Sequence, residues 1–358
     1  MRRIIAAAGL AAAGLLLTAC SSSPPGASSA AASAAALRAQ HKAGSPVGPP
    51  GAAASGVLRL GLTEDVADAP ALLGWQMGYF GENARQVTLE PEPYTSSAAE
   101  AAALEEGQLD AAYLDPMTAL QVWQSTPGGL IKIVAGAVSG GAELVVSPGI
   151  TTAAQLKGRP LAAPTGGAQQ AAADYWLRQR GLPNLTETSA STGAGLLQQF
   201  RTGQIAGAWE PPPLDVQLTD AGGRVLVNEA SLWPGGQFPT TVLVVTRKFL
   251  AANPQAVTGL LKGQLQADKL LTDHQVSAAG AIGQRLTAAG NPLPAAVIAK
   301  SLAQLTFTDS PLSGPLLAEA KHAVATGLLK PLKNLAGIYD LGPLNQVLKA
   351  AGQQPAGP

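Results

Sequence analysis

RPLAAPTGGAQQAAADYWLRQRGL, residues 159–182, runs a short apolar segment into a glycine pair and then into a helical pattern. RPLAAP reads as a strand and AQQAAADYWLRQRG as a helix closed by Gly181. A helix start leaves unpaired amides and the positive end of a dipole, so it can hold an anion without any lysine. Thr165 is placed to cap this helix or to donate its hydroxyl. Gly166 and Gly167 permit a tight turn and close ligand approach, and Gln169 and Gln170 add amide groups nearby. The same residues also suit a purely structural turn, and the stretch alone leaves both readings open.

The strand-then-helix alternation continues on either side. VLRLGL (57–62), QVTLEPEPY (86–94), LDAAYLDP (109–116) and LIKIVAGAV (130–138) read as strands. Between them, ALLGWQMGYFG (71–81), SSAAEAAALEEG (96–107) and MTALQVWQS (117–125) read as helices, the second with a Ser N-cap. A second series follows. GGAELVVSP (140–148), RPLAAP, LTETSA (185–190), QIAGAWEPP (204–212) and GGRVLVNEA (222–230) are its strands, and STGAGLLQQFRTG (191–203) is a further helix. FPTTVLVVTRKFLAANP (238–254) brings the chain back to the first unit, and helical periodicity then dominates 255–273, 294–307, 314–329 and 340–352. Such alternation implies a mainly parallel sheet with helices on both faces, and two sets of it imply two lobes.

The N-terminus has a different character. MRRIIAAAGLAAAGLLLTAC (1–20) has two arginines, an apolar run too short for a standard span, and small residues before the only cysteine, which is a secretory signal pattern. Leu-Thr-Ala-Cys resembles the lipobox of bacterial lipoproteins, which implies cleavage before Cys20 and lipid attachment to it. Residues 21–56, rich in Ser, Ala, Pro and Gly, cannot recover their ordering entropy by burial and read as a flexible tether in which His41 is a solvated residue. The expected organisation is a signal peptide over 1–20, the tether over 21–56, the first part of lobe 1 over 57–138, lobe 2 over 139–241, and completion of lobe 1 with C-terminal helices over 242–358. That tail is expected to wrap the first lobe without closing the cleft.

Composition excludes several classes. Lys and Arg number 23 against 23 Asp and Glu, with no dense basic patch, which gives nucleic-acid binding little support. The chain lacks the glycine-rich phosphate loop ending in Lys-Ser/Thr, the GxSxG elbow and the HExxH metal motif. His274 and His322 stand far apart in tail helices and read as exposed. No catalytic residue, metal site or cofactor is expected. Glu64, Asp65 and Asp68 read as a hydrated surface turn.

Three further junctions share the logic of the TGG stretch: Thr95, Ser96 and Ser97; Asp115 to Thr118, with Asp115 as a helix cap; and Ser191, Thr192 and Gly193. In parallel αβ units these junctions collect at one sheet edge, so two lobes facing each other there would enclose a polar solute. Tyr94 and Tyr113 adjoin these loops and offer ring and hydroxyl contacts. Trp209 is a candidate pocket wall or core residue, and Glu210 a ligand acceptor or a partner in a surface or interlobe salt bridge. Trp233 sits beside the return crossing, where Gln237, Thr240 and Thr241 can meet the cleft.

GQLDAAYLDPMTAL (107–120), the long run 130–182, QQFRTGQIAGAWEPP (198–212), residues 222–254 and GIYDLGPLNQVL (337–348) resemble the extracytoplasmic solute-binding proteins of ABC importers, in the sulfonate, nitrate and taurine-like group with relatives for thiamine precursors. The resemblance implies a type II periplasmic binding protein fold: two α/β lobes, a ligand cleft between them, crossings near 138–144 and 237–242, and a helical C-terminal segment. It also implies closure on a ligand, an ABC permease with a cytoplasmic ATPase as partner, membrane attachment through the lipid anchor, and a monomer. Where relatives commonly read Gly-Asn-Thr-Gln-Asp, this chain reads GGAQQ over 166–170, and Trp-Val-Pro-Glu-Pro becomes Trp209, Glu210 and three prolines. Both departures weigh against a simple alkyl sulfonate. The leading expectation is a receptor for a small polar, sulfonate-like or otherwise anionic solute. Its alternatives are a receptor for an aromatic or thiamine-precursor ligand, a noncatalytic envelope sensor, and, more remotely, a pyrimidine-forming enzyme.

Overall fold

The computed structural model describes residues 56–357 apart from 127, 184, 186–192, 333–334 and 336. Cys20, Thr192 and nearly all of the strand expected over 185–190 lie outside the described residues. Among the described residues no helix is long and apolar enough to cross a membrane.

Two sheets organise the fold. The first has the order β10-β4-β9-β3-β1-β2, built from β1 (Val57–Thr63), β2 (Thr88–Tyr94), β3 (Ala111–Leu114), β4 (Ile131–Gly140), β9 (Pro239–Thr246) and β10 (Leu305–Phe307). The second has the order β6-β7-β5-β8, from β5 (Glu143–Val146), β6 (Leu161–Ala162), β7 (Gly207–Glu210) and β8 (Arg224–Asn228). Strand β1 runs parallel to β2 and β3, but β9 enters antiparallel between β3 and β4. The sheet is therefore mixed rather than mainly parallel, because β9 arrives from the other sheet and not through a βαβ crossover.

All eight residues of β9 are buried. A strand covered on both faces reads as a continuous apolar run, which is what TVLVV shows. One face packs Leu58, Leu60 and Leu62 with Phe80 and Leu260; the other packs Leu114, Val242 and Val244 with Leu120 and Leu316. The chain leaves the first sheet through Gly141 and Ala142 and re-enters it at β9. Thr240 ties the two crossings together, its hydroxyl donating to the Gly140 carbonyl at 2.7 Å.

The helices follow the expected pattern with four corrections. The helix expected over 71–81 breaks at Gly78, whose φ of 75° only glycine adopts freely, into α1 (Ala69–Gln76) and α2 (Tyr79–Asn83). After α3 (Ser97–Glu105), α4 (Pro116–Ser125), α5 (Ala168–Arg178), α6 (Ala194–Arg201), α7 (Leu214–Asp220), α8 (Arg247–Ala252) and α9 (Pro254–Asp273) comes α10 (Gln275–Ala288), a helix in a stretch to which the sequence pattern assigns no element. In 294–307, α11 (Ala295–Gln304) stops and the last three residues of that stretch form β10 on the edge of β4. Finally, the tail does not stay on the first lobe: α12 (Ser313–Thr326) packs on α5, and Arg178 donates to the Thr326 carbonyl at 3.0 Å. The chain closes with α13 (Gly342–Ala350).

Candidate functional site

Asp115 is where three helix starts meet. Its Oδ1 accepts from the amides of Met117 (2.8 Å) and Thr118 (3.1 Å), capping α4, with Pro116 at the first helical position. Its own amide donates to Ser97 Oγ at 3.0 Å, at the head of α3. Its Oδ2 accepts from the Ala168 amide at 3.0 Å, at the head of α5 in the second sheet's layer. The anion position read from the TGG stretch is thus filled by the chain's own carboxylate. Burial raises the Asp115 carboxyl above the usual range, against the lowering effect of the amides bonded to it.

The two glycines divide the labour differently from the sequence reading. Gly166 has φ 80° and donates to Gln170 Oε1 at 2.6 Å, with empty space where a Cβ would lie. Gly167 is the N-cap, and a Cβ there would sit 3.1 Å from Asp115 Oδ2. Close approach therefore belongs to Gly167. Gly167 is extended (φ −93°, ψ −176°), so Gly167→Val carries no backbone strain but pushes Asp115 off α5. We expect it to fold with a stability loss of about 1–2 kcal/mol, the usual value of a helix cap, read as a lowered urea midpoint. An unchanged midpoint would remove Asp115 from the contact.

Behind this junction lies an aromatic and acidic layer. Trp209 is fully buried, and its indole N–H donates to Glu229 Oε2 at 2.6 Å; Trp233 donates to Glu229 Oε1 at 3.3 Å. Burial pushes the Glu229 carboxyl up to about 7 although both indoles lower it. Trp176 meets Trp209 edge-on at 5.8 Å. His322 stacks on Tyr175 at 3.6 Å and faces Trp233 at 5.1 Å, so it is not the exposed helix histidine expected from sequence. Burial lowers its affinity for a proton. Glu319 on α12 is 2% exposed, neither carboxyl oxygen has a partner among the described residues, and its charged neighbours are Glu229 and Asp115.

A second acidic group adjoins the crossings. Glu143 on β5 and Glu210 on β7 are register partners on adjacent antiparallel strands, an arrangement unfavourable for two ionised groups. Glu143 accepts from Asn228 at 2.9 Å, whereas Glu210 is 7% exposed with no described hydrogen bond. Asp215, fully buried at the head of α7, accepts from the Val216 amide at 2.6 Å through Oδ1, while Oδ2 has no hydrogen-bond acceptor role in the described geometry. Asp65, from the loop after β1, reaches the same group: like charges on Asp215 and Asp65 raise Glu210, and those on Glu143 and Asp65 raise Asp215, behind the larger effect of burial. Burial places Asp65 at about 6 and Asp215 at about 8. The salt bridge expected at Glu210 is absent among the described residues.

The loop after β1 is not the hydrated turn that its charges suggest. Asp68 is buried and accepts from the Thr63 amide (2.8 Å), Thr63 Oγ1 (2.6 Å) and Thr241 Oγ1 (3.3 Å), tying the loop to β9. Glu64 pairs with Arg285, whose guanidinium lies over the Trp75 ring.

The remaining candidates scatter. Ser96 Oγ caps α3 by accepting from the Ala99 amide at 3.3 Å. Thr95, Thr165 and Gln237 are exposed, and Thr165 does not cap α5. Tyr113 belongs to the core, its hydroxyl donating to Gln264 at 3.0 Å, and Tyr94 packs against the opposite face. Gln169 is buried with Nε2 unpartnered. Sequence reasoning missed Glu143, Asp215, Glu229 and Glu319. For Glu319 a signal existed: it lies on the apolar stripe of α12 beside Leu316, Ala320 and Ala323.

Among the described residues no group of three or more His, Cys, Asp or Glu is arranged to hold a metal ion. A groove of about 770 Å³ between α10 and α11 is lined by Val276, Ala279, Leu293 and Ile298 among others, with no ionisable side chain to orient a polar solute.

The sequence model of the NMT1-like family matches residues 51–283. Among solved structures, the chain is similar to the alkanesulfonate-binding protein SsuA from Xanthomonas axonopodis pv. citri bound to MOPS, with 22% identity and a TM-score of 0.66 over 81% of this chain and 99% of that one. It is also similar to the periplasmic nitrate-binding protein NrtA from Synechocystis PCC 6803, at 15% identity and a TM-score of 0.69 over 82% and 88% of the two chains. The Candida albicans CA3427 gene product, with the generic periplasmic binding protein fold, gives 13% identity and a TM-score of 0.59 over 82% and 95%. No curated protein matches the chain. The fold is that of type II periplasmic binding proteins, two-lobed and α/β.

Proposed function

Because the chain belongs to the NMT1-like family and has this two-lobed fold, we propose that it is a noncatalytic extracytoplasmic receptor that captures a small solute between its lobes and delivers it to an ABC importer. The observation that carries the reading is the junction at Asp115, where helix starts from both sheet layers converge on one buried point. Contacts made only when two lobes meet are what couple binding to closure, since a solute shifts the equilibrium by its differential affinity for the closed state. Thr240 and the crossings at Gly140 to Ala142 are the natural pivot, being the points where the chain passes between sheets. Lipidation at Cys20 and the tether over 21–56 would keep the receptor at the outer face of the membrane within reach of a permease. The sulfonate and nitrate proteins it resembles support uptake as the job. Their ligands do not transfer directly, because Asp115 occupies the helix start at which an anion would sit.

Cells deleted for this chain should lose high-affinity uptake of one solute, and that solute should raise the melting temperature of the purified full-length protein. Uptake unchanged across a broad labelled panel, with no solute shifting the melt, would overturn the receptor reading.

A further inference from the structure

We infer that α12 is a latch: a helix hung from the first lobe that grips the second and holds the two lobes closed. This rests on the reading of the chain as a two-lobed receptor, and it adds a third link between the lobes beside the two crossings.

Both feet of the excursion that carries α12 stand on one short part of β4. On the way out, the Thr308 amide donates to the Ala137 carbonyl at 3.2 Å, and the Asp309 carbonyl accepts from the Gly136 amide at 2.7 Å. The Ser310 carbonyl oxygen lies so close that a Cβ on Gly136 would meet it at 2.1 Å. On the way back, the Ile338 carbonyl accepts from the Ile133 amide at 2.9 Å, and the Asp340 amide donates to the Ile133 carbonyl at 3.0 Å. The chain thus leaves and rejoins the first sheet between Ile133 and Ala137.

Between these feet α12 reaches the other layer. Its Leu316, Ala320 and Ala323 pack in one cluster with Leu120 of α4 and with Ala168 and Ala171 of α5. Its C-terminal end is held by α5, where Arg178 donates to the carbonyls of Ala325 and, at 3.0 Å, of Thr326. One turn earlier the His322 ring lies parallel on Tyr175 of α5 at 3.6 Å and faces Trp233 at 5.1 Å.

Two features mark this grip as one made to release. A permanent interface satisfies its buried polar groups. Glu319, in the middle of α12 and 2% exposed, has no partner for either carboxyl oxygen among the described residues, and Gln169 at the head of α5 has none for Nε2. The ends of α12 also have the form of pivots. Its N-cap Leu312, at φ 51°, is the only non-glycine residue at positive φ among the described residues, and its C-cap Gly327 has φ 85°. Residues at element ends absorb the backbone rotation of a hinge, and leaving the left-handed form is favourable for a leucine.

The test is electron–electron distance measurement on the full-length chain in a Cys20→Ser background. One spin label sits at Lys321 on α12 and the other at Glu106 in the first lobe or Lys157 in the second, all exposed positions. The latch expects a single Lys321–Glu106 distance in every sample. It expects a Lys321–Lys157 distribution whose long component grows about threefold or more in His322→Ala, which removes the ring stack. Arg178→Ala, at an exposed side chain, should act the same way and carries the test if His322→Ala folds poorly. A Lys321–Lys157 distance that stays short while Lys321–Glu106 lengthens would overturn the latch, since α12 would then travel with the second lobe. A purely structural role would lower the melting temperature of both variants and leave the long component unchanged, which would also overturn it. Neither result touches the receptor reading, which fails only if no solute shifts the melt and uptake is unchanged in the deletion strain.

Discussion

The empty protein should lose stability as pH rises from 5 to 8.5, the reverse of the common pattern in which paired carboxylates favour neutral pH. Burial raises Asp65 and Asp309 to about 6, Asp68 and Glu229 to about 7, and Asp215 to about 8. A carboxyl raised above its unfolded value of roughly 4 contributes stability that is fully present below that value and is lost as pH passes through the folded one. The loss therefore begins near pH 4, where the unfolded chain ionises, and is complete at about pH 6 for Asp65 and Asp309, 7 for Asp68 and Glu229 and 8 for Asp215. Each unit of displacement is worth up to about 1.4 kcal/mol, so the melting temperature should drop by at least about 5 °C across the window. Differential scanning calorimetry in matched ionic strength checks it. A flat or rising melt would mean that water or an internal cation already neutralises these groups.

Trp209→Ala should be the most damaging single substitution in the second lobe. The ring is fully buried against Trp176 and the Ala142–Val146 side of β5, and such truncations typically cost about 3–5 kcal/mol. It would also take from Glu229 its shorter hydrogen bond, 2.6 Å from the indole N–H, leaving only Trp233 at 3.3 Å. A fall of about 8–15 °C in melting temperature follows. Trp209→Phe separates the two contributions: it keeps most of the packing, removes the N–H, and should cost about 1–3 kcal/mol while steepening the fall in stability above pH 7. Should Trp209→Phe behave as wild type at pH 8, the indole bond to Glu229 is not stabilising.

Much of the fold was legible because its strands are apolar runs and its helices have clear starts. TVLVV announced a strand buried on both faces, and Ser96 and Asp115 announced the helices that they cap. What the sequence did not disclose was long-range. Nothing local to DPMT says that the free oxygen of Asp115 will reach Ala168, 53 positions on, and fill the very helix start that looked ready for an anion. Likewise Asp65, Glu143, Glu210 and Asp215 sit in four different segments, each with the look of a surface charge, and only the meeting of the two sheets gathers them. His322 and Glu319 looked like ordinary tail residues because α12 was assigned to one lobe, whereas it packs on α5 of the other.

The central claim, that two mobile lobes trap a solute between them, is tested most directly by electron–electron distance measurement between spin labels at Glu106 and Lys157, exposed positions on the two layers, in a Cys20→Ser background. Without ligand the distribution should be broad, with a long-distance component. A saturating solute that raises the melting temperature should collapse it to a single short distance. An identical distribution with and without that saturating solute would contradict the account.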